Sequence, residues 1–188
     1  MRKGFFALVL AAESIFFTAA AQTMQEALDR FNARREIISK KGMLALGGMA
    51  AVQIAACTPL IFVTRNQWSY FHQMNVYWNV VNLGIATAGY LGTRKSSGRS
   101  HSLYETFEKQ KASERIYLFN TGLDLAYMTT GALLNTLSYR VNKAQDLLKG
   151  FGNALLLQGG ILLAFDVVMY RVYKNHGKKN LPALFERL

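Results

Sequence analysis

Two stretches of the chain, residues 42–64 and 66–93, hold no Asp, Glu, Lys or Arg. Two more hold one charge each: Asp124 within 116–139 and Asp166 within 150–170. A helix that lies on a soluble core needs a charged face toward water, and these segments are apolar nearly all round. Each is long enough to cross a hydrocarbon core of roughly 30 Å at about 1.5 Å per residue. The pattern predicts helices over 42–64, 70–93, 116–139 and 150–171. The expected fold is therefore all-α, a polytopic membrane protein built as a four-transmembrane-helix bundle. Residues 22–188 form its single membrane domain.

The first turns of the chain follow a different grammar. Arg2 and Lys3 precede an apolar run, 5–17, which ends in Thr18-Ala19-Ala20-Ala21. A basic start, a short apolar core and an A-x-A ending predict a signal peptide over 1–21, cleaved after Ala21. The alternative is a fifth hydrophobic helix. Thr23 with Glu26 predicts a helix start by capping box. Met24, Leu28, Phe31 and Ile38 then lie near one face, an amphipathic N-terminal helix for the lipid surface or for its neighbours. Ser102 with Glu105 predicts a second capped start, well before the third span. Gly177 predicts a helix stop, and Leu181, Pro182 and Phe185 beyond it are expected against lipid. Trp68, Tyr70, Tyr77 and Trp78 suit an interfacial aromatic belt.

Charge adds a conflict. Lys and Arg number 22 against 11 Asp and Glu, but the cations flank apolar spans rather than covering a folded surface. That argues for the lipid bilayer as partner and against nucleic acid. Sixteen of the cations fall on the side holding 22–41, 94–115 and the tail from Arg171, and four fall on the other. The positive-inside rule makes the basic side cytoplasmic, whereas a cleaved signal would export it. The cleavage grammar is the more specific of the two patterns. The single cysteine, Cys57, excludes an intrachain disulfide and CxxC redox chemistry.

Polar residues inside the spans carry the candidate chemistry. Asn75, Asn79 and Asn82 follow i, i+4, i+7 spacing on the second span, continued by Ala86 and Gly89. Asn120, Asp124, Tyr127 and Gly131 repeat it on the third. The fourth offers Gly152, Gly159 and Asp166 on one stripe with Asn153 and Gln158 beside it, and the first adds Gln53. Asp124 lies about eight residues, roughly 12 Å, inside its span, and Asp166 about five residues, roughly 8 Å, from the same side. The two carboxyls are expected to face each other, with Asn120 and Tyr127 as donors to Asp124. No Lys or Arg lies deeper than Arg171, so the pair is protonated, hydrogen-bonded to its neighbours, or open to water or an ion. His72, His101 and His176 share no helix face, and no cofactor or metal site is expected.

The segments MNVYWNVVNLGIATAGY, NTGLDLAY and GFGNALLLQGGILLAFD resemble a bacterial family of small, uncharacterised four-helix integral membrane proteins. That resemblance implies a place in the bacterial cytoplasmic membrane and no activity. The leading functional expectation is a non-enzymatic subunit, scaffold or small binding module with a membrane-protein partner or a second copy of itself. The rival is a small proton- or cation-coupled carrier using Asp124 and Asp166. A lipid-modifying enzyme is disfavoured, because no nucleophile, base and metal set converges. A cavity reaching both aspartates favours the carrier, and a dry polar layer favours the scaffold.

Overall fold

The computed structural model describes residues 2–185, with side chains from Gln22 onward except that of Ala183. Four helices follow one another: α1 (Arg2–Val63), α2 (Gln67–Ser96), α3 (Leu103–Ser138) and α4 (Gln145–Phe185). No strand occurs among the described residues. Two of the helices, over Gln22–Val63 and Gln145–Pro182, are long and apolar enough to cross a membrane. The polar residues of α2 and α3 lower their average below that level. The expected cleavage point after Ala21 falls where side chains are outside the described residues.

Each helix outruns its charge-free stretch, because helix-forming charged residues continue the winding beyond it. The Ser102–Glu105 box is formed, with Glu105 N–H donating to Ser102 Oγ (3.2 Å) and Ser102 N–H to Glu105 Oε2 (2.9 Å). Thr23 caps nothing, since α1 is already under way before it. Gly177 does not stop α4 either. A Cβ there would lie 2.9 Å from Glu114 Oε1 and 3.0 Å from Gln110 Nε2, so the glycine admits α3 side chains. Pro59 is carried within α1. The α1–α2 turn is made by Asn66 in the left-handed region (φ 54°), a conformation asparagine tolerates better than most residues.

The packing is not a closed ring. α4 is central, lying against α3, α2 and more lightly α1, while α1 lies along α2. α2 and α3 do not pack on each other. The α3–α4 seam is close because it is glycine-lined. A Cβ on Gly131 would stand 2.6 Å from the Gly152 carbonyl oxygen, and one on Gly159 2.9 Å from that of Asp124. On α1 and α2, Gly47 meets Ala86 and Gly89 meets Met43 in the same manner.

At the basic end, the amphipathic start of α1 finds partners rather than open surface. Leu28 and Phe31 are buried with Leu181 and Leu184 of α4, flanked by Met24, Leu103 and Phe107. Leu181 is thus core, not a lipid contact as the sequence suggested. The reason is that α4 continues through Gly177 and carries Leu181 back over α1.

Candidate functional site

Two polar layers occupy the interior between the seams. In the first, Gln158 of α4 is nearly fully buried and its Nε2 donates to Gln53 Oε1 of α1 (2.6 Å) and to Asn75 Oδ1 of α2. One amide therefore ties three helices. Asn75 and Asn79 turn their own Nδ2 groups to the carbonyls of Phe71 and Asn75, each 2.8 Å away. Near the same end, Asn135 Nδ2 of α3 donates to Asn153 Oδ1 of α4 (2.9 Å). Asn135 was missed in the sequence, although it continues the α3 stripe four residues past Gly131. The layer joins all four helices through amide hydrogen bonds, as interhelical packing requires, while Gln158 Oε1 and Asn135 Oδ1 have no partner among the described residues.

The second layer lies about two turns nearer the basic end and is built differently. Asp124 and Asp166 are 2% and 5% exposed and face each other across the α3–α4 seam, near enough to share a proton. The glycine contact of Gly159 with the Asp124 backbone is what brings the helices near enough. Asn120 stands beside Asp166 rather than serving Asp124. Tyr127 turns away to meet Trp78, so neither expected donor serves Asp124. The reason is geometric: one turn along α3, the Tyr127 ring finds an aromatic edge on α2 that the sequence pattern does not register. Among the described residues, no amide, hydroxyl or cation donates to Asp124 Oδ2. A carboxyl oxygen held this way is satisfied by a proton shared with its neighbour or by something that enters from outside.

An entrance exists. The gap left between α2 and α3 is a slot of about 450 Å³ that reaches both carboxyls. α2 contributes Trp78, Val81, Asn82 and Ile85, and α3 contributes Asn120, Leu123, Asp124 and Tyr127. Leu46 of α1 and Leu162, Phe165 and Asp166 of α4 close its floor. The lining is mostly apolar and aromatic, with Asn82, Asn120, Asp124 and Asp166 as its polar groups beside the Tyr127 hydroxyl. Of the sequence-derived residues, Asn82, Asn120, Asp124, Tyr127 and Asp166 line this slot. Gln53, Asn75, Asn153 and Gln158 belong to the separate amide layer, with Asn79 bonded along its own helix.

A family model described as a family of unknown function (DUF6992) matches residues 45–167. That span starts in the charge-free half of α1 and ends one residue beyond Asp166. It includes both polar layers and the whole slot. No curated protein and no solved structure matches the chain.

Proposed function

We propose that this chain, which belongs to the DUF6992 family, is a four-span integral membrane protein that binds a small cation at Asp124 and Asp166 and exchanges it for a proton. The observation that carries the reading is the slot: a cavity of about 450 Å³ reaching a buried carboxyl pair. A scaffold needs only the amide layer, and the slot goes beyond that need.

Several features support membrane residence for all four helices. Phe62, Val52, Val81, Ile85, Phe119, Leu133 and Val168 are more than half exposed, and they are spread over every helix. Exposed apolar surface on that scale marks contact with lipid or protein. Several hydroxyls that lower the hydropathy of α2 and α3 are satisfied within their own helices. Thr87, Thr129, Thr130 and Thr136 each donate to the carbonyl four residues earlier, at 2.7, 2.8, 2.8 and 3.0 Å. Such hydroxyls need no water and leave a methyl outward.

The chemistry follows from the slot's contents. Two carboxyls in contact hold together when they share a proton, since like charges at that distance repel. A monovalent cation can replace that proton with no change in the charge of the site, which is what coupled exchange requires. The volume suits a small organic molecule, and Trp78, Tyr127 and Phe165 offer ring faces to a cation with an apolar body. The test is titration of the purified full chain in non-ionic detergent with benzyltrimethylammonium, in weak buffer. Saturable binding with release of protons is expected, abolished in Asp124→Asn and Asp166→Asn proteins that still fold. Equal binding by wild type and both variants defeats the reading.

A further inference from the structure

A second polar cavity lies at the basic end, apart from the carboxyl pair. It has a volume of about 240 Å³ and takes residues from all four helices. Arg35 of α1 is its central feature. The side chain is only 7% exposed, yet its guanidinium makes one long hydrogen bond, 3.5 Å to the Thr106 carbonyl oxygen. No carboxylate among the described residues pairs with it within 4.0 Å. Most of the five guanidinium donors are unspent and open to the cavity, where an anion can supply acceptors.

The surroundings supply what an anion needs. Lys109 of α3 lines the same cavity. Its Nζ lies 3.1 Å from His101 Nε2. Burial and the nearby cations Lys109 and Arg35 push the His101 imidazole below its ordinary range, so it accepts from the ammonium as a neutral ring. The charge of Lys109 is left uncancelled. Hydroxyls complete the lining: Ser39 Oγ and Thr93 Oγ1 are 2.9 Å apart, and Thr93, Ser96 and Ser113 donate to carbonyls of their own helices. The one acid present, Glu36, is engaged by Ser97 Oγ at 2.7 Å, and Lys40 bonds that same hydroxyl at 3.0 Å. Two cations against one carboxylate, itself engaged by a hydroxyl, leave the cavity net positive and favour a multi-oxygen anion. The cavity is larger than a bare carboxylate needs. It also sits within two turns of Gly42, where the charge-free part of α1 begins.

We infer that this cavity binds a phosphate group, with the Arg35 guanidinium and Lys109 ammonium on its oxygens. The group is either free phosphate or the phosphodiester of an anionic lipid headgroup.

The experiment uses the delipidated full chain in non-ionic detergent. Inorganic phosphate and short-chain phosphatidylglycerol are titrated separately by calorimetry, against sodium chloride of equal ionic strength. Saturable binding of at least one probe is expected, weakened about tenfold or more by Arg35→Gln and by Lys109→Gln. Lys109 is exposed at the rim, so its variant keeps the test valid if Arg35→Gln fails to fold. Binding of phosphatidylglycerol alone identifies a headgroup site, and binding of both identifies a site open to soluble phosphate. No binding of either probe overturns the inference. So does binding that both variants retain at wild-type strength.

Discussion

Trp78 of α2 and Tyr127 of α3 meet edge to face, with ring centroids 4.7 Å apart and planes at 81°. They do so between two helices that otherwise do not pack on each other. The pair therefore bridges the slot leading to Asp124 and Asp166, and neither ring is fully buried. Trp68 and Trp78 are the two tryptophans of the chain. In a Trp68→Phe protein, Trp78 emission should change when benzyltrimethylammonium enters the slot. The same protein carrying Asp124→Asn and Asp166→Asn should show no change.

The glycines of the α3–α4 seam predict a steep steric penalty. Gly131→Val should lower stability by about 1–3 kcal/mol or more because backbone atoms stand in the way, and Gly159→Val should do so less steeply, since the flexible Met128 side chain is its nearest obstacle with the Asp124 carbonyl behind it. Gly160 has nothing within 4 Å of its added Cβ. Gly160→Ala should be neutral or stabilising by up to about 1 kcal/mol. Thermal unfolding in detergent reads both, and equal midpoints for Gly131→Val and wild type would contradict the seam.

Gln158→Leu should cost about 1–3 kcal/mol, since it strips partners from Gln53 and Asn75 together. Gln53→Leu should cost less, because Gln53 is only half-buried and its carbonyl is a single contact. If the amide layer serves packing alone, neither variant should change cation binding at the carboxyl pair.

Acidification should destabilise the basic end. His101 and His176 are buried outside the charge-free segments, and burial first, then nearby cations, hold each below the ordinary value of 6.5. The folded state prefers both rings neutral, so the unfolded chain binds more protons as pH falls through 6.5. Their contribution is full above that value and is lost below it. The unfolding midpoint should drop between about pH 7 and 5. A His176→Gln variant should show a shallower drop over the same range, and an unchanged slope would contradict the assignment.

The proposed four-span topology predicts the α2–α3 and α3–α4 connections on opposite sides, because α3 alone separates them. In a Cys57→Ser background, Ser100→Cys and Asn142→Cys should differ in labelling by an impermeant thiol reagent in intact cells, and exchange roles in inverted vesicles. Both positions are exposed. Labelling of both in intact cells would mean that α3 does not cross.

Helix number, approximate extent and the polar stripes were readable from the chain because they are local properties. A charge-free run of twenty-odd residues has few conformations open to it besides a helix, and i, i+4, i+7 spacing places Asn75, Asn79 and Asn82 on one face wherever that helix sits. The Ser102–Glu105 cap is likewise complete within four residues. Neighbour choice is different in kind. It depends on which pairs of surfaces approach most closely once all four helices compete, and the Gly131–Gly152 contact draws α3 onto α4 and away from α2. Only that competition opened the slot, gave Asn120 to Asp166 instead of Asp124, and turned Trp78 from a belt residue into a bridge. It also carried α4 past Gly177, so that Leu181 closes over Phe31 and Arg35 is buried with no ion pair within 4.0 Å among the described residues. The periodicity of a single helix says which face is polar. The partner for that face is settled by close approach between backbones far apart in the chain.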